Sequence, residues 1–272
     1  MAEHAVGLLL SIVRKLHKQY NRVREMNFQL EGLLGFDIHG KTVGVIGTGA
    51  IGAIFATIMN SFGCKMLAYD VIENRDLIEK IGIKYVTLDE LLSQSDIISL
   101  HVPLFPSTFH LINNQSISKM KEGVIVINTS RGALIDSQAV INALKTQKIG
   151  GLGIDVYEQE SNLFFENCSD KIIEDDTLVR LMSFPNVLMT GHSAFFTSNA
   201  LTNISDTTVE NAVSFLQGNT VQSNNELTKT VKKETVVVQT PNKESQQVTL
   251  ISVGNNDEKK LAAAGVLTKS NL

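Results

Sequence analysis

The stretch Val43-Gly44-Val45-Ile46-Gly47-Thr48-Gly49-Ala50-Ile51-Gly52 reads as a buried strand that runs into a glycine turn and opens a helix. In that setting each glycine has its own task. Gly47 permits the tight turn, Gly49 lets a phosphate approach the backbone, and Gly52 lets the helix pack closely on the strand. The helix opens at Ile51, just after Ala50, so its free N–H groups and positive dipole end point at the place a pyrophosphate would take. Asp70 ends the next strand, 18 positions after Gly52 (70 − 52). A carboxylate there accepts hydrogen bonds from ribose hydroxyls and repels a 2′-phosphate, which favours NAD over NADP as cofactor. Arg75 is the one hint the other way.

The same alternation extends outward from this motif. Strands are expected at 42–46, 65–69, 84–86, 97–101, 124–128, 151–156 and 187–190, and helices at 51–62, 88–93, 113–120 and 137–146. Apolar strands separated by amphipathic helices predict an α/β fold with a doubly wound parallel sheet covered on both faces. Before it, residues 2–24 read as one amphipathic helix with Ala5, Leu8, Leu9, Ile12, Val13, Leu16 and Tyr20 on one face. After it, 199–217 reads as a helix with Ile204, Val209, Val213 and Leu216 as core positions.

From Gly218 the composition turns to Asn, Thr, Gln, Ser and Lys without an aromatic residue. Residues 219–272 are expected to be a mostly disordered polar tail, in which Val236-Val237-Val238 and the run 248–253 can pair as short strands.

The totals exclude several classes. A net charge of −4 over 272 residues gives no electrostatic reason for a nucleic-acid or anionic-membrane partner. Cys64 and Cys168 lack metal-ligand spacing and read as small buried hydrophobes, and the histidines form no HExxH-like cluster, so no metal site is expected. The apolar run 5–13 follows Glu3 and His4 rather than basic residues and falls short of the ~20 residues of a membrane span, which makes the cytoplasm the expected location.

Three further segments bring reactive side chains just past expected strands, where open parallel sheets hold their ligands. They are Asn128-Thr129-Ser130-Arg131-Gly132, Asp155-Val156-Tyr157-Glu158-Gln159-Glu160 and Gly191-His192-Ser193-Ala194-Phe195. Taken singly, a surface cation at Arg131, a solvated loop acid at Glu160 and a satisfied loop histidine at His192 explain each of them. Together with the glycine loop they occur in the order and spacing seen in D-2-hydroxyacid dehydrogenases, with 29 positions from Arg131 to Glu160 (160 − 131) and 32 to His192 (192 − 160). The chain resembles the bacterial fermentative D-lactate dehydrogenases of that family, through Phe28-Gln29-Leu30-Glu31-Gly32-Leu33, 128–138 and Phe195-Phe196-Thr197.

The resemblance implies definite roles. Arg131 would hold the carboxylate of a 2-oxo or 2-hydroxy acid and polarise its keto oxygen. His192 would exchange the proton at that oxygen, with Glu160 orienting the imidazole and favouring its charged form. His101, Val102 and Pro103 would line the cofactor pocket, Asn113, Thr129, Ser130 and Asp155 would sit by the nicotinamide half, and Phe195 would pack near the substrate. For His101 and Asn113, a turn-forming role at a strand or helix end is the alternative.

The family also builds a substrate domain mainly from residues preceding the segment that matches Ala2-Glu3-His4-Ala5. The expected organisation is therefore a crossover helix over 1–24, a Rossmann NAD-binding domain over 25–198, a helix over 199–218 returning to the remnants of a second, substrate domain, and the tail. Both terminal helices would then lose their packing partner and expose apolar surface. The expected activity is NAD-dependent interconversion of pyruvate and D-lactate, weak or absent in this truncated chain, in a homodimer. The alternative is a non-catalytic NAD(H)-binding regulatory module.

Overall fold

The structure is a computed structural model. It describes residues 1–160 and 163–217 and, as backbone, 231–239 and 245–253. The chain divides into two compact units, Met1–Leu201 and Thr202–Leu272.

The first unit is a seven-stranded sheet in the order β3-β2-β1-β4-β5-β6-β7, parallel throughout. The strands are β1 (Thr42–Ile46), β2 (Lys65–Tyr69), β3 (Lys84–Tyr85), β4 (Ile97–Leu100), β5 (Val124–Asn128), β6 (Ile149–Ile154) and β7 (Val187–Met189). Because the chain moves from β1 outward to β3 and then returns to β4 on the other side of β1, the sheet has its topological switch point between β1 and β4. Val43 and Val45 of β1, Ile97 of β4 and Ile125 and Ile127 of β5 point to one face, under α1 (Ala2–Val13) and α3 (Ala50–Ser61). Ile46, Ile98, Leu100, Val124 and Val126 point to the other, under α5 (Leu88–Gln94), α6 (Asn114–Lys119) and α7 (Ser137–Lys145). A strand covered on both faces has no polar side to show, hence the near-continuous apolar runs.

Two helices escaped the sequence reading: α4 (Arg75–Ile81) and α8 (Asp176–Met182). Each buries only one or two side chains, Leu77 in the first and Leu178 and Leu181 in the second, too few to make a helical period visible. Their caps were legible: Asn74 accepts from the Leu77 N–H, Gly82 closes α4 in the left-handed region, and Asp175 accepts from the Leu178 N–H.

The N-terminal helix differs from expectation in two ways. It is broken at Lys15 (φ 52°) into α1 and α2 (Leu16–Arg24). The extended segment at Gly35 crosses the end of α1 so closely that a Cβ there would lie 2.1 Å from the Val13 carbonyl oxygen, and Lys15 Nζ donates to the Gly32 carbonyl. Leu16 and Tyr20, placed in the apolar stripe by periodicity, are exposed, and α2 buries nothing. Conversely α1 has not lost its partner. Leu8 and Ile12 lie against Gly151 and Gly153 of β6, where a Cβ would come within 3.2 Å of them. The glycine-rich strand Ile149-Gly150-Gly151-Leu152-Gly153-Ile154 is thus the seat of α1 in the sheet's own core.

Helix α9 (Ser198–Leu216) runs from the first unit into the second. Ile204, Val209, Val213 and Leu216, read as core positions of a helix expected to lose its packing partner, are exposed: the stripe is apolar, but nothing among the described side chains covers it. In the second unit β8 (Val231–Gln239) and β9 (Ser245–Val253) pair antiparallel with Val236 opposite Val248, as the valine runs suggested, in a longer hairpin. The rest of the expected 219–272 tail lies outside the described residues.

Candidate active site

The carboxyl ends of the parallel strands bring the expected segments to one edge of the sheet. After β1, Gly47 takes φ 93° with its α-carbon against the His101 carbonyl, 2.5 Å from where a Cβ would stand. A Cβ on Gly52 would lie 1.9 Å from the Gly47 carbonyl oxygen, so helix and strand approach backbone to backbone. Gly49 has open space around its α-carbon. These observations fit a bound pyrophosphate: two glycines shape the turn and the middle one leaves it uncovered. Asp70 is held in place by that loop, accepting from Thr48 N–H (2.6 Å) and Oγ1 (3.1 Å) and from the Val71 N–H (2.6 Å). Tyr85 in turn donates to Thr48 Oγ1 at 2.8 Å. With the Ile72 N–H at 3.3 Å as a fourth donor, all of the roughly four lone-pair sites of the carboxylate are engaged, so a ribose hydroxyl would have to displace one of the longer bonds.

His101 follows β4. Its Nε2 lies 2.9 Å from Ser99 Oγ, its ring tilts against Phe55, and burial pushes its pKa down to about 4. His101 Nδ1 and Thr129 Oγ1 are buried polar atoms without a partner in the protein. Unsatisfied polar atoms inside a fold are uncommon and mark places where a ligand or water completes the bonding. Val102 packs against Gly47, and the Pro103 carbonyl accepts from Thr108 Oγ1. Asn113 is a helix cap: its Oδ1 accepts from the Gln115 and Ser116 N–H groups, and its Nδ2 donates to the His110 carbonyl.

The loop after β5 presents Arg131. Asn128 braces it by donating to the Arg131 carbonyl and accepting from the Ser130 N–H, while Ser130 Oγ donates to the Leu100 carbonyl. The guanidinium is exposed, touches only the Ser130 carbonyl (2.7 Å) and pairs with no carboxylate among the described residues. Beside it, Gly132 packs directly on the backbone of Tyr157 and Glu158, which ties this loop to the one after β6.

Glu160 and His192 meet directly: Nδ1 of His192 donates to Oε1 of Glu160 at 2.8 Å. His192 sits at φ 52°, a left-handed backbone that a non-glycine residue adopts at a cost. What holds it there is Asp155, 1% exposed. Its carbonyl accepts from the His192 N–H (2.7 Å), and its carboxylate accepts from the Ser193 (2.9 Å) and Ala194 (2.8 Å) N–H groups and from Thr190 Oγ1. His4 of α1 completes the clamp, 3.0 Å from Thr190 Oγ1. Phe195 stands edge-on to the His192 ring and Phe165 lies on another side, centroid to centroid 5.7 Å.

Residues 6–194 match the family described as D-isomer specific 2-hydroxyacid dehydrogenase, NAD binding domain. This chain belongs to that family.

D-lactate dehydrogenase of Escherichia coli is 52% identical over 220 residues, 81% of this chain and 67% of that protein. A 2-hydroxyacid dehydrogenase homolog of Haemophilus influenzae is 52% identical over 218 residues, 80% of this chain and 66% of its own length. Among solved structures, the pyruvate reductase of Chlamydomonas reinhardtii superposes with a TM-score of 0.77 at 48% identity, covering 82% of this chain and 67% of that one. The chain spans about two thirds of the length of the curated relatives it matches.

Within this NAD-binding domain the structure brings Glu160 and His192 into contact and places Arg131 on the neighbouring loop. It adds Thr48 and Tyr85 behind Asp70, His4 and Thr190 behind Asp155, and Phe165 beside His192, none of which the sequence reading singled out. A helix N-terminal histidine and a strand-end threonine, 186 residues apart (190 − 4), have no shared motif to betray them. Cys64 is buried, as expected of a small hydrophobe, whereas Cys168 is half-exposed. No helix among the described residues is long and apolar enough to cross a membrane.

Proposed function

We propose that the chain is the NAD-binding and proton-transfer half of an oxidoreductase that interconverts pyruvate and D-lactate. The observation that carries this reading is the Glu160–His192 pair beside an Arg131 without a carboxylate partner, all past the carboxyl ends of β5, β6 and β7. When bound, NADH supplies the hydride. Arg131 supplies a planar, permanently charged fork for the substrate carboxylate and its keto oxygen. Nε2 of His192, left free by the Nδ1 bond to Glu160, gives its proton to that oxygen in reduction and takes it back in oxidation. Asp155 contributes by fixing the backbone of the His192 loop, and the Phe165 and Phe195 rings stand beside the imidazole.

The match covers 67% of the Escherichia coli relative. In these 272 residues the site is open to water, which weakens every electrostatic interaction the reaction needs. We therefore expect this chain to bind NADH and to reduce pyruvate slowly or not at all. The measurement is NADH fluorescence titration together with pyruvate-dependent NADH oxidation, beside His192→Ala. A rate ordinary for the family would overturn the expected weakness, and a rate that survives in His192→Ala would overturn the assignment of the proton donor. Intact NADH binding with zero turnover would favour the second reading, a non-catalytic NAD(H)-responsive module. A homodimer in the cytoplasm completes the proposal; the exposed Leu16, Tyr20 and Val23 stripe of α2 is the surface it would bury.

A further inference from the structure

The opposite edge of the sheet, at the amino ends of β5, β6 and β7, carries a cavity of about 710 Å³ between α2, the segment at 34–36 and the ends of α7 and α8. Lys15, His17, Lys18, Lys145 and Arg180 line it, and no aspartate or glutamate does. Elsewhere in the same unit Lys80, Lys84, Lys119, Lys121 and Lys148 each meet a carboxylate within 3.3 Å. Among the described residues the cavity's own cations have no such partner: Lys15 donates to a carbonyl and Arg180 lies over the Phe184 ring.

Two groups at the cavity are shifted by burial first, with the neighbouring cations adding to it. The Lys18 pKa lies below the usual lysine value through burial and the charges of Lys15 and Arg22, and that of His17 is lowered by burial, opposed by a backbone hydrogen bond and assisted by Lys18. His17 Nδ1 is also buried without a hydrogen-bond partner. Like charges gathered around a half-enclosed space repel one another, and a multivalent anion placed among them relieves that repulsion at every member. The walls between the cations are apolar, with Leu34, Phe36 and Phe184 among them, so the space also fits a carbon skeleton or a ring.

We propose that this cavity binds a small organic polyanion, a phosphate ester or polycarboxylate, at a site separate from the nucleotide loop. The two lie at opposite ends of the strands, which for five-residue β5 is roughly 17 Å. The site does not depend on the dehydrogenase reading. On α2 itself, at 100° per residue, Lys18 falls on the side opposite the Leu16, Tyr20 and Val23 stripe.

The test uses the full 272-residue chain with inorganic pyrophosphate and tricarballylate as probes and acetate as a monoanion control. Calorimetry and backbone amide NMR report affinity and place, and NADH titration is run alongside. The expected result is saturable binding of at least one polyanion, with amide shifts at 15–18, 145–147 and 180–186 that acetate does not reproduce. The better-bound probe assigns phosphate or carboxylate chemistry. Lys18→Gln combined with Lys145→Gln, both at least partly exposed positions, should weaken that binding about ten-fold and leave NADH affinity and Tm unchanged. Should that pair lower Tm, Arg180→Gln serves in its place. Absence of saturable binding at low millimolar concentration overturns the proposal. So do pyrophosphate shifts confined to 47–52 with no tricarballylate uptake, insensitivity to the variants, or a second copy that fills the cavity and excludes both probes.

Discussion

The cofactor half and the proton-transfer half of the site are held by opposite means. Around Gly47 and Gly52 the geometry rests on the absence of side-chain atoms: backbone meets backbone, and one added methyl group has nowhere to go. Around His192 it rests on the presence of a buried carboxylate that gathers N–H and O–H donors from four residues, Thr190, His192, Ser193 and Ala194, counting the Asp155 carbonyl. Steric exclusion is insensitive to pH or salt. A hydrogen-bonded clamp reaches across the chain, and it is as strong as its least satisfied member.

The difference is sharpest under substitution. Gly52→Val should have the largest effect, because the Gly47 carbonyl that a Cβ would strike is fixed in turn by the Gly47 N–H bond to Tyr69. We expect a loss on the order of 5 kcal/mol in stability and NADH binding weakened beyond detection, read by thermal denaturation and fluorescence titration. A variant that still bound NADH with near-native affinity would show that the loop can yield. Asp155→Ala removes the clamp and leaves buried donors unpaired, at a cost of about 4 kcal/mol. Here the cofactor half should survive: NADH affinity within a few-fold, with the His192 imidazole resonances shifted and broadened in NMR. Equal damage to both halves would mean that the division is not real.

The same contrast explains what could be read from the sequence. Glycines whose purpose is to be small announce it by their spacing, so the nucleotide loop, Asp70 and the strands beside them were placed to within a residue or two. Arg131, Glu160 and His192 were legible as a set only through family resemblance, since each alone is an ordinary polar residue. The supports were not legible. Nothing about Asp155, Thr190 and His4 says in advance that three distant segments converge on one carboxylate. Nor does period alone reveal a partner: α1 and α9 have comparable apolar stripes, yet α1 finds glycines on β6 to pack against and the side chains of α9 remain exposed. The break at Lys15 belongs with these: it lies where the distant segment at Gly35 crosses the end of α1.

His101 sharpens the comparison from the other side, as a titratable group buried inside the half that is otherwise indifferent to pH. Burial lowers its pKa from 6.5 to about 4, so the folded protein keeps it neutral where the unfolded chain would protonate it. Between those two values the unfolded state binds more protons, and stability falls as pH decreases from 6.5 toward 4; above 6.5 the contribution is fully present. The interval corresponds to roughly 3 kcal/mol at most. His101→Asn, which removes the titration and keeps a polar group near Ser99, should flatten that part of the stability–pH curve and change neutral-pH stability by only about 1 kcal/mol. Denaturant unfolding of both proteins at pH 7, 5.5 and 4.5 measures it. Parallel curves would mean that His101 is not the acid-sensitive group of the nucleotide half, and that the loop's indifference to pH is complete.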